Sequence, residues 1–417
     1  MMKTENYSPL DPITSIMLGA PGTEALMCLT IPPEISLFEA NASGNVSVAD
    51  ARKDHERMQG ELEREGIEVF NMREIIAQVL AERANHPYHS REDLLNELMC
   101  RAEFLLNKYK MPVSLGFVRQ ELEELLDMDI KQMGLEAAIA INAALTNVIG
   151  IDGKPKNFDP KNPPAGNFLF WRDTNHIIGG HMGVHRMFYS IRDQEVAFAK
   201  LGFDALGLVY HQLDLKGGKN NSIEGGDILP MELGKQLYAL IGKAERTSWG
   251  GVQAWFKLHE HEFSQSGAGL IPAIVEGPHS GTQDQMHLDT FSQQVAPGAI
   301  IHCGEITKRR NFSILMRRRG EIIKVKPENL KDGTYAEWIE SQADHIYDMT
   351  QEEQLNYAPN VLVSGDGSEG TTVFITRDGT PAVTSFIRKH ATSVVLLKMN
   401  DLTKFYGGAH CATSEMR

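Results

Sequence analysis

The sequence predicts an α/β protein with an inserted all-helical segment, and two observations support this fold class. Short apolar runs alternate with helical patterns through most of the chain. Residues 72–150, by contrast, have helical periodicity and almost nothing that resembles a strand. At 417 residues the chain is long enough for a large core and more than one structural unit.

The first 70 residues alternate between strand and helix. Ser15–Leu18 is a short apolar run that Gly19 would end, which predicts a strand. The charged segment Ala49–Arg64 has the spacing of a helix, and Gly66–Phe70 follows it as the next predicted strand.

Helical periodicity then continues without interruption. Apolar side chains recur at helical spacing at Leu94, Leu95, Leu98, Met99, Ala102, Leu105 and Leu106, and again at Leu122, Leu125, Leu126, Ile130 and Met133. Ala137–Leu145 is rich in alanine. We therefore predict a helical domain of residues 72–150, inserted into an α/β domain made of residues 1–71 and 151–417.

The remainder of the chain returns to the α/β pattern. Gly150–Gly166 is rich in Gly, Pro and Lys and predicts a loop. Predicted strands after it include Gly207–Tyr210, Ala299–His302, Thr372–Thr376 and Ser393–Lys398.

Composition excludes several classes of function. The net charge of −14 argues against a nucleic-acid partner, which would require a basic surface. No apolar stretch of about 18 residues predicts a membrane span. The four cysteines form no CxxC pair, so neither a zinc site nor a disulfide framework is indicated. The N-terminus has no apolar signal-peptide core, and we expect a cytoplasmic protein.

Four short motifs contain residues that are costly to bury: Asn167–Asp173, Glu224–Asp227, His287–Asp289 and Gly407–Cys411. Each has an ordinary structural explanation. Asp173 could pair with its neighbour or cap a turn, and the two glycines after Glu224 are typical of a turn. His287 and Asp289 would share a face if their segment were a strand. Cys411 could be an inert apolar residue.

Taken together, the motifs fit one reaction class. A thiolate is a good nucleophile when its surroundings lower its pKa. Carboxylates hold a planar guanidinium through charge-assisted hydrogen bonds. A histidine can protonate departing ammonia and then activate water. One thiol, one imidazole and several carboxylates therefore predict hydrolysis of a guanidinium group.

In this order, the four motifs resemble those of arginine deiminases, within the guanidino-group-modifying superfamily. The resemblance covers nearly the whole chain, from the Leu37–Phe38 segment through the helical insertion to the closing Gly-Gly-x-His-Cys. It implies a pseudo-symmetric α/β propeller of ββαβ modules with an inserted all-helical domain. The α/β part, residues 1–71 and 151–417, would then be the catalytic domain.

The resemblance also implies the catalytic residues. Cys411 matches the nucleophile and His287 the general acid and base. Asp173 and Asp289 match the two aspartates that grip the guanidinium nitrogens. Glu224 matches a glutamate that hydrogen-bonds the guanidinium.

A second group of residues matches positions that bind the rest of the substrate. Asn167, Arg192 and Arg246 correspond to contacts with its α-carboxylate, although a surface ion pair would also explain the two arginines. Phe170 and Leu37 correspond to apolar walls along its methylenes.

The sequence departs from the family pattern at three places. Tyr406 stands where arginine deiminases carry an arginine on the lid, five residues before the nucleophile. Ser414 replaces a further cysteine, and the segment after Leu37–Phe38 reads Glu39–Asn41 in place of an acidic pair. These changes concern recognition of the amino-acid end of the substrate more than the cysteine chemistry.

The resemblance predicts hydrolysis of L-arginine to L-citrulline and ammonia through a covalent thiouronium on Cys411, without metal or organic cofactor, by a homo-oligomer. An amidinotransferase, an arginine dihydrolase and a hydrolase of modified or peptidyl arginine remain alternatives. A non-catalytic binder of a cation is another, although binding alone requires neither Cys411 nor His287.

Overall fold

The computed structural model describes residues 8, 10–36, 46–83, 87–213, 221–234, 236–264, 269–278, 285–365, 370–377 and 381–417. Within these ranges the fold is mixed α/β, as predicted. Its strands are β1 Ser15–Leu18, β2 Glu68–Asn71, β3 Asn175–Ile178, β4 His181–Val184, β5 Tyr210–Gln212, β6 Ile228–Leu233, β7 Gln236–Lys243, β8 Ile271–Glu276, β9 Ser292–Ala296, β10 Ala299–His302, β11 Asn311–Arg318, β12 Glu321–Val325, β13 His345–Asp348, β14 Leu362–Gly365, β15 Thr371–Ile375, β16 Ser393–Leu396 and β17 Thr413–Met416.

Helices connect these strands. They are α1 Thr23–Cys28, α2 Pro33–Ser36, α3 Val48–Arg64, α4 Met72–Glu82, α5 Arg91–Tyr109, α6 Leu115–Met133, α7 Leu135–Leu145, α8 Asp193–Ala205, α9 Trp249–Leu258, α10 Glu260–Ser264, α11 Gly304–Thr307, α12 Tyr335–Gln342, α13 Gln351–Leu355, α14 Pro381–His390 and α15 Ala409–Ala412. None of them, over the ranges given above, is both long and apolar enough to span a membrane.

Five sheets repeat one pattern of pairing. In each, the first strand runs antiparallel to a middle strand, and the middle strand runs parallel to a third: β3–β4–β5, β6–β7–β8, β9–β10–β13, β14–β15–β16 and β17–β1–β2. A helix lies between each middle strand and its parallel partner, because a parallel pair needs a crossover. Strands β11 and β12 extend the second sheet beyond β8.

The fifth sheet joins the two ends of the chain. β17 pairs antiparallel with β1, with Ser15 opposite Met416 and Leu18 opposite Thr413. Glu415 on β17 forms a buried ion pair with Arg172. The segment that carries Cys411, immediately before β17, is therefore fixed against two distant parts of the sequence.

The predicted helical segment consists of α4 to α7. Ser90 and Ser114 cap the N-termini of α5 and α6 by accepting hydrogen bonds from backbone N–H groups. Buried Arg73 at the start of α4 pairs with Glu24 on α1 at 2.9 Å and with Asp129 on α6 at 2.8 Å. This ion network ties the helical segment to the N-terminal part of the chain.

Two local predictions were wrong. The strand predicted at Gly207–Tyr210 begins only at Tyr210, because Gly207 has φ +66° and ends the turn after α8. The segment from His287 to Asp289 is not a strand, since Leu288–Thr290 forms a 3₁₀ turn. The two side chains therefore do not share a strand face.

Candidate active site

Each repeated unit contributes a polar residue just before its first strand. Asp173 precedes β3, Glu224 precedes β6, Asp289 precedes β9, Asn360 precedes β14 and Cys411 precedes β17. At four of these positions a short 3₁₀ or α turn immediately precedes the strand, so the polar residue lies at the end of that strand. The repeated architecture thus gathers residues from five distant parts of the sequence.

Cys411 is buried between an amide and a carboxylate. Its Sγ lies 3.0 Å from Asn360 Nδ2 and 3.8 Å from Asp289 Oδ2. Its backbone N–H donates to Asn360 Oδ1 at 3.1 Å, and His410 Nδ1 lies 2.7 Å from the same Asp289 oxygen. Burial and then the charges of Asp289 and Asp173 raise the pKa of Cys411 well above its usual range. Cys411 is therefore a thiol at neutral pH.

His287 is surrounded by acids. Its Nε2 lies 3.0 Å from Glu224 Oε2, and its Nδ1 lies 3.6 Å from Asp173 Oδ1. Burial alone would lower the pKa of this imidazole, but Asp173, Glu224 and Asp227 outweigh burial and raise the pKa to about 9. His287 is therefore a cation at neutral pH.

Among the described residues, the two aspartates nearest the thiol each have one buried oxygen without a hydrogen bond, as does Asp227 at Oδ2. Asp173 Oδ1 and Asp289 Oδ1 have no hydrogen-bond partner among the residues that the structure describes. The second oxygen of each carboxylate is occupied, by Arg192 Nη1 at 3.0 Å and by His410 Nδ1 at 2.7 Å. Because buried acceptors are normally satisfied, these two atoms indicate the position of a cationic donor.

Arg192 and Arg246 are buried beside these acids and do not form surface ion pairs. Arg192 binds Asp173 and also Glu195, with Nε 2.9 Å from Oε2. Arg246 Nη1 lies 3.6 Å from Glu224 Oε2, and its guanidinium stacks over Tyr189 at 4.7 Å from the ring centroid. Burial would raise the pKa of Glu224, but Arg246 and His287 hold it well below its ordinary value.

The predicted apolar and amide contacts lie in one buried segment. Asn167 belongs to the 3₁₀ turn Gly166–Leu169, and Phe170 follows directly. Phe170 packs against Gly407, where a Cβ would come within 2.1 Å of the phenyl ring. Leu37 lies outside the described residues.

A cavity adjoins Cys411. It is lined by Thr290, Gln354, Leu355, Tyr357, Asn360, Tyr406 and Cys411. Tyr406 adopts a left-handed backbone with φ +64° at the end of a 3₁₀ turn. The residue that replaces the expected lid arginine therefore borders the same cavity as the thiol.

A family model described as arginine deiminase matches residues 43–417. The chain belongs to the arginine deiminase family. Named relatives agree: "Arginine deiminase" of Staphylococcus haemolyticus is 27% identical over 251 residues, covering 58% of this chain and 55% of that protein. "Arginine deiminase" of Streptococcus pneumoniae is 24% identical over 339 residues, covering 78% of each chain. The match with the Staphylococcus haemolyticus protein thus spans little more than half the length of that protein.

Solved structures show the same fold at low identity. The DDAH of Pseudomonas aeruginosa, solved as a mutant complexed with citrulline, superposes with a TM-score of 0.52 at 13% identity, covering 97% of this chain and 99% of that one. A dimethylarginine dimethylaminohydrolase adduct gives a TM-score of 0.51 at 14% identity, with the same coverage. At this level of identity, the two structures show only that this member of the arginine deiminase family shares their fold.

Asp173, Glu224 and His287 could in principle hold a metal ion, since one donor atom of each lies within 4.8 Å of the others. Their charge state disfavours it. The guanidinium groups of Arg192 and Arg246 lie 3.5 and 3.6 Å from Glu224, so two fixed positive charges already stand beside the cluster. The cluster is better suited to an imidazolium than to a metal.

The sequence motifs did not point to Asn360, which contacts Cys411 through both its amide nitrogen and its amide oxygen. Asn360 stands alone between Pro359 and Val361, so no local pattern marks it. Asp227 belongs to a motif but had no assigned role. Its Oδ1 accepts a hydrogen bond from the backbone N–H of Leu288 at 3.2 Å, which fixes the position of the residue after His287.

Proposed function

We propose that this chain hydrolyses L-arginine to L-citrulline and ammonia, as the name of its family indicates. The observation that carries the proposal is the pair of orphaned carboxylate oxygens, Asp173 Oδ1 and Asp289 Oδ1, in the site of a buried thiol. A guanidinium has N–H groups on a rigid plane, which suits two such acceptors.

Substrate binding would generate the nucleophile. Burial, and then the charges of Asp289 and Asp173, raise the pKa of Cys411. A bound guanidinium places a positive charge beside the same two acids and so offsets their effect on the sulfur. Asn360 Nδ2, 3.0 Å from Sγ, then stabilises the thiolate. The thiol proton passes to solvent, and the thiolate adds to the central carbon of the guanidinium.

His287 serves both halves of the reaction. As a cation it donates a proton to one nitrogen of the tetrahedral intermediate, the C–N bond breaks, and ammonia leaves. An S-alkylthiouronium remains on Cys411. The neutral imidazole then takes a proton from water, whose oxygen bonds to the same carbon. The C–S bond breaks as the hydroxyl proton passes to the sulfur, which releases citrulline and the Cys411 thiol. Glu224 at 3.0 Å keeps the imidazole oriented in both steps.

The rest of the substrate is assigned as the family resemblance implies. Arg246 and Arg192, with Asn167, would bind the α-carboxylate, and Phe170 and Leu37 would flank the methylenes. In the ligand-free protein both arginines neutralise acids of the site. We expect Arg246 to contribute more to carboxylate binding, because Arg192 is already held by Asp173 and Glu195.

A second candidate substrate is a modified, decarboxylated or peptide-linked arginine. The observation that favours it is Tyr406, which borders the cavity beside Cys411 where a lid arginine was expected. Comparison of kcat/KM for arginine, agmatine and a blocked arginine peptide decides between the two. We expect arginine to be preferred; an equal or higher value for agmatine or the peptide would reject free arginine while leaving the cysteine chemistry in place.

Product analysis tests the reaction class. Incubation with L-arginine should give citrulline and ammonia in equal amounts. Ornithine with two equivalents of ammonia would indicate a dihydrolase. Transfer to an added amine without ammonia release would indicate an amidinotransferase, and recovery of unchanged arginine would indicate a binding protein.

We further propose the larger organisation. The five repeated sheets would be the modules of a pseudo-symmetric propeller, formed by residues 1–71 and 151–417, with residues 72–150 as an inserted helical domain. A cytoplasmic homo-oligomer is proposed as well. Cys28, Cys100, Cys303 and Cys411 are all free thiols, which suits a reducing compartment.

A further inference from the structure

A cluster of imidazoles covers one face of the sheet β3–β4–β5. In the register of these strands His176 lies opposite Gly183, and Gly183 lies opposite His211. His181 is two residues before Gly183 on β4 and therefore points to the same side. Three histidines from three strands thus share a face, and none of them belongs to the four motifs of the active site.

The helical side of the cluster supplies His259, directly after α9, and Glu262 in α10. Both are buried, with exposures of 0% and 5%. Two glycines make room for these close contacts. A Cβ at Gly179 would lie 2.5 Å from Glu262 Cγ, and a Cβ at Gly183 would lie 2.2 Å from His176 Cε1. The backbone is therefore shaped around the cluster.

Hydrogen bonds determine which nitrogens carry protons. His185 Nδ1 lies 2.9 Å from the backbone oxygen of Asp173, which can only accept, so this nitrogen donates and His185 Nε2 accepts. His176 Nδ1, at 2.6 Å, must then donate to His185 Nε2. His176 Nε2 in turn accepts from His259 Nε2, also at 2.6 Å. For neutral rings this leaves His259 Nδ1 with a bare lone pair.

That lone pair faces another acceptor. His259 Nδ1 and Glu262 Oε2 are 3.9 Å apart, too far for a hydrogen bond, and neither has a hydrogen-bond partner in the described part of the chain. Glu262 Oε1 lies 2.9 Å from His181 Nε2, and His181 Nδ1 lies 3.4 Å from His211 Nε2. Two buried acceptors that face each other are costly unless a cation lies between them.

We propose that this cluster is a binding site for a divalent transition metal, with Zn²⁺ the best match to its donors. His259 Nδ1 and Glu262 Oε2 would be the buried ligands. Zn²⁺ binds imidazole nitrogen and carboxylate oxygen at about 2.0–2.2 Å, and in tetrahedral geometry such ligands lie roughly 3.4 Å apart. The observed 3.9 Å is near that separation.

His181 and His211 complete the coordination. Both side chains reach the surface, so their rings can turn toward the ion, and the ion has a path of entry. In the metal-free arrangement their nitrogens do not yet meet at one point with the buried pair. Binding exchanges the contact between His181 and Glu262 for two metal–ligand bonds.

The site lies behind the catalytic centre. Three imidazoles connect it to the backbone oxygen of Asp173 by hydrogen bonds of 2.6, 2.6 and 2.9 Å. A metal on His259 would fix the orientation of that chain, as outer ligands do in other metal sites. The proposal itself does not depend on the reaction assigned to Cys411.

The experiment measures metal content. Full-length protein is treated with a chelator, given Zn²⁺ in slight excess, desalted and analysed by plasma mass spectrometry. We expect one zinc per chain in the wild type and in Cys411→Ser, and loss of that zinc in the double variant His181→Ala/His211→Ala. The double variant His345→Ala/His390→Ala, which removes another adjacent pair of rings 4.3 Å apart, is the matched control and should retain zinc.

Spectroscopy and stability provide independent readouts. Co²⁺ in the wild type should give d–d absorption without a thiolate charge-transfer band, and Zn²⁺ should raise the Tm of the wild type but not of the His181/His211 variant. Absence of stoichiometric zinc in the wild type, or equal binding by the His181/His211 variant, would overturn the proposal. So would zinc lost only in Cys411→Ser, since the ion would then belong to the catalytic centre.

Discussion

Asp173 contributes to the pKa shifts of both Cys411 and His287, the proposed nucleophile and the proposed acid and base. Burial, Asp289 and then the charge of Asp173 raise the pKa of Cys411. Burial lowers the pKa of His287, but Asp173, together with Glu224 and Asp227, raises it. The ligand-free site therefore holds a thiol beside an imidazolium. In the proposed reaction, a cation bound between the two aspartates would favour loss of the thiol proton. Glu224 and Asp227 would keep His287 protonated for transfer to the leaving nitrogen.

The pH profile of kcat/KM should fall on the basic side near pH 9. Because its folded pKa is raised to about 9, His287 loses the proton needed for the leaving nitrogen as pH rises through that value. Glu224→Gln removes an anion at 3.0 Å and should move this limb to lower pH. An unchanged limb in Glu224→Gln would assign it to another group.

Arg246→Ala should raise KM for arginine about tenfold or more, since one charged hydrogen bond contributes roughly 1.5–3 kcal/mol. Arg246 lies at the site with Nε lacking a hydrogen bond among the described residues, so it has a donor to offer. KM for agmatine, which has no carboxylate, should change little. Arg318→Ala, at an exposed position on β11, is the control. Equal rises in KM for both substrates would remove the carboxylate role.

At the scale of elements, the turns before the first strands of the five repeated sheets determine the geometry of the candidate active site. Four of these five segments contain the sequence motifs, each of which includes an acid, an imidazole or a thiol. The fifth, at Asn360, could not be predicted, because its contacts with Cys411 arise from tertiary pairing alone. The pairing of Arg192 with Asp173 escaped prediction for the same reason.

Gly226→Ala tests the fit of one such turn. A Cβ there would lie 2.6 Å from His287 Nδ1, so the imidazole would have to move. Displacement of a catalytic group by about 1 Å can cost on the order of 10²-fold in rate, and we expect kcat to fall by about ten- to a hundredfold. Gly116→Ala, which meets nothing within 4 Å, should leave kcat unchanged. A Gly226→Ala variant within twofold of the wild type would show that the turn tolerates a side chain.

At the scale of the whole molecule, local periodicity predicted the helices of residues 72–150 and some of the strands, but not the pairing of the strands. The contact of β17 with β1 joins residues about 400 positions apart, and no local signal encodes it. The histidine cluster was missed for the same reason. Its members are scattered from His176 to Glu262 and meet only when β3, β4 and β5 lie beside α10.

Glu415→Gln should destabilise the fold, because the buried pair of Glu415 and Arg172 links β17 to the turn that carries Asp173. Breaking such a pair costs about 3–5 kcal/mol, measurable by urea unfolding. Burial raises the pKa of Glu415, but Arg172 outweighs burial and lowers this pKa from 4.5 to about 2. The ion pair therefore contributes its full stability above about pH 4.5, and the contribution disappears as pH falls toward 2. Exposed Glu340→Gln is the control. Equal stability of the two variants would contradict the link.

Acid quenching of the enzyme during turnover of L-arginine, followed by peptide mass analysis, tests the covalent route most directly. We predict an adduct on the Cys411 peptide with the mass of arginine less one ammonia, and at least ~10³-fold loss of turnover in Cys411→Ala, with Cys100→Ser as an active control. Citrulline formation by Cys411→Ala, or an adduct on a different residue, would contradict Cys411 as the nucleophile.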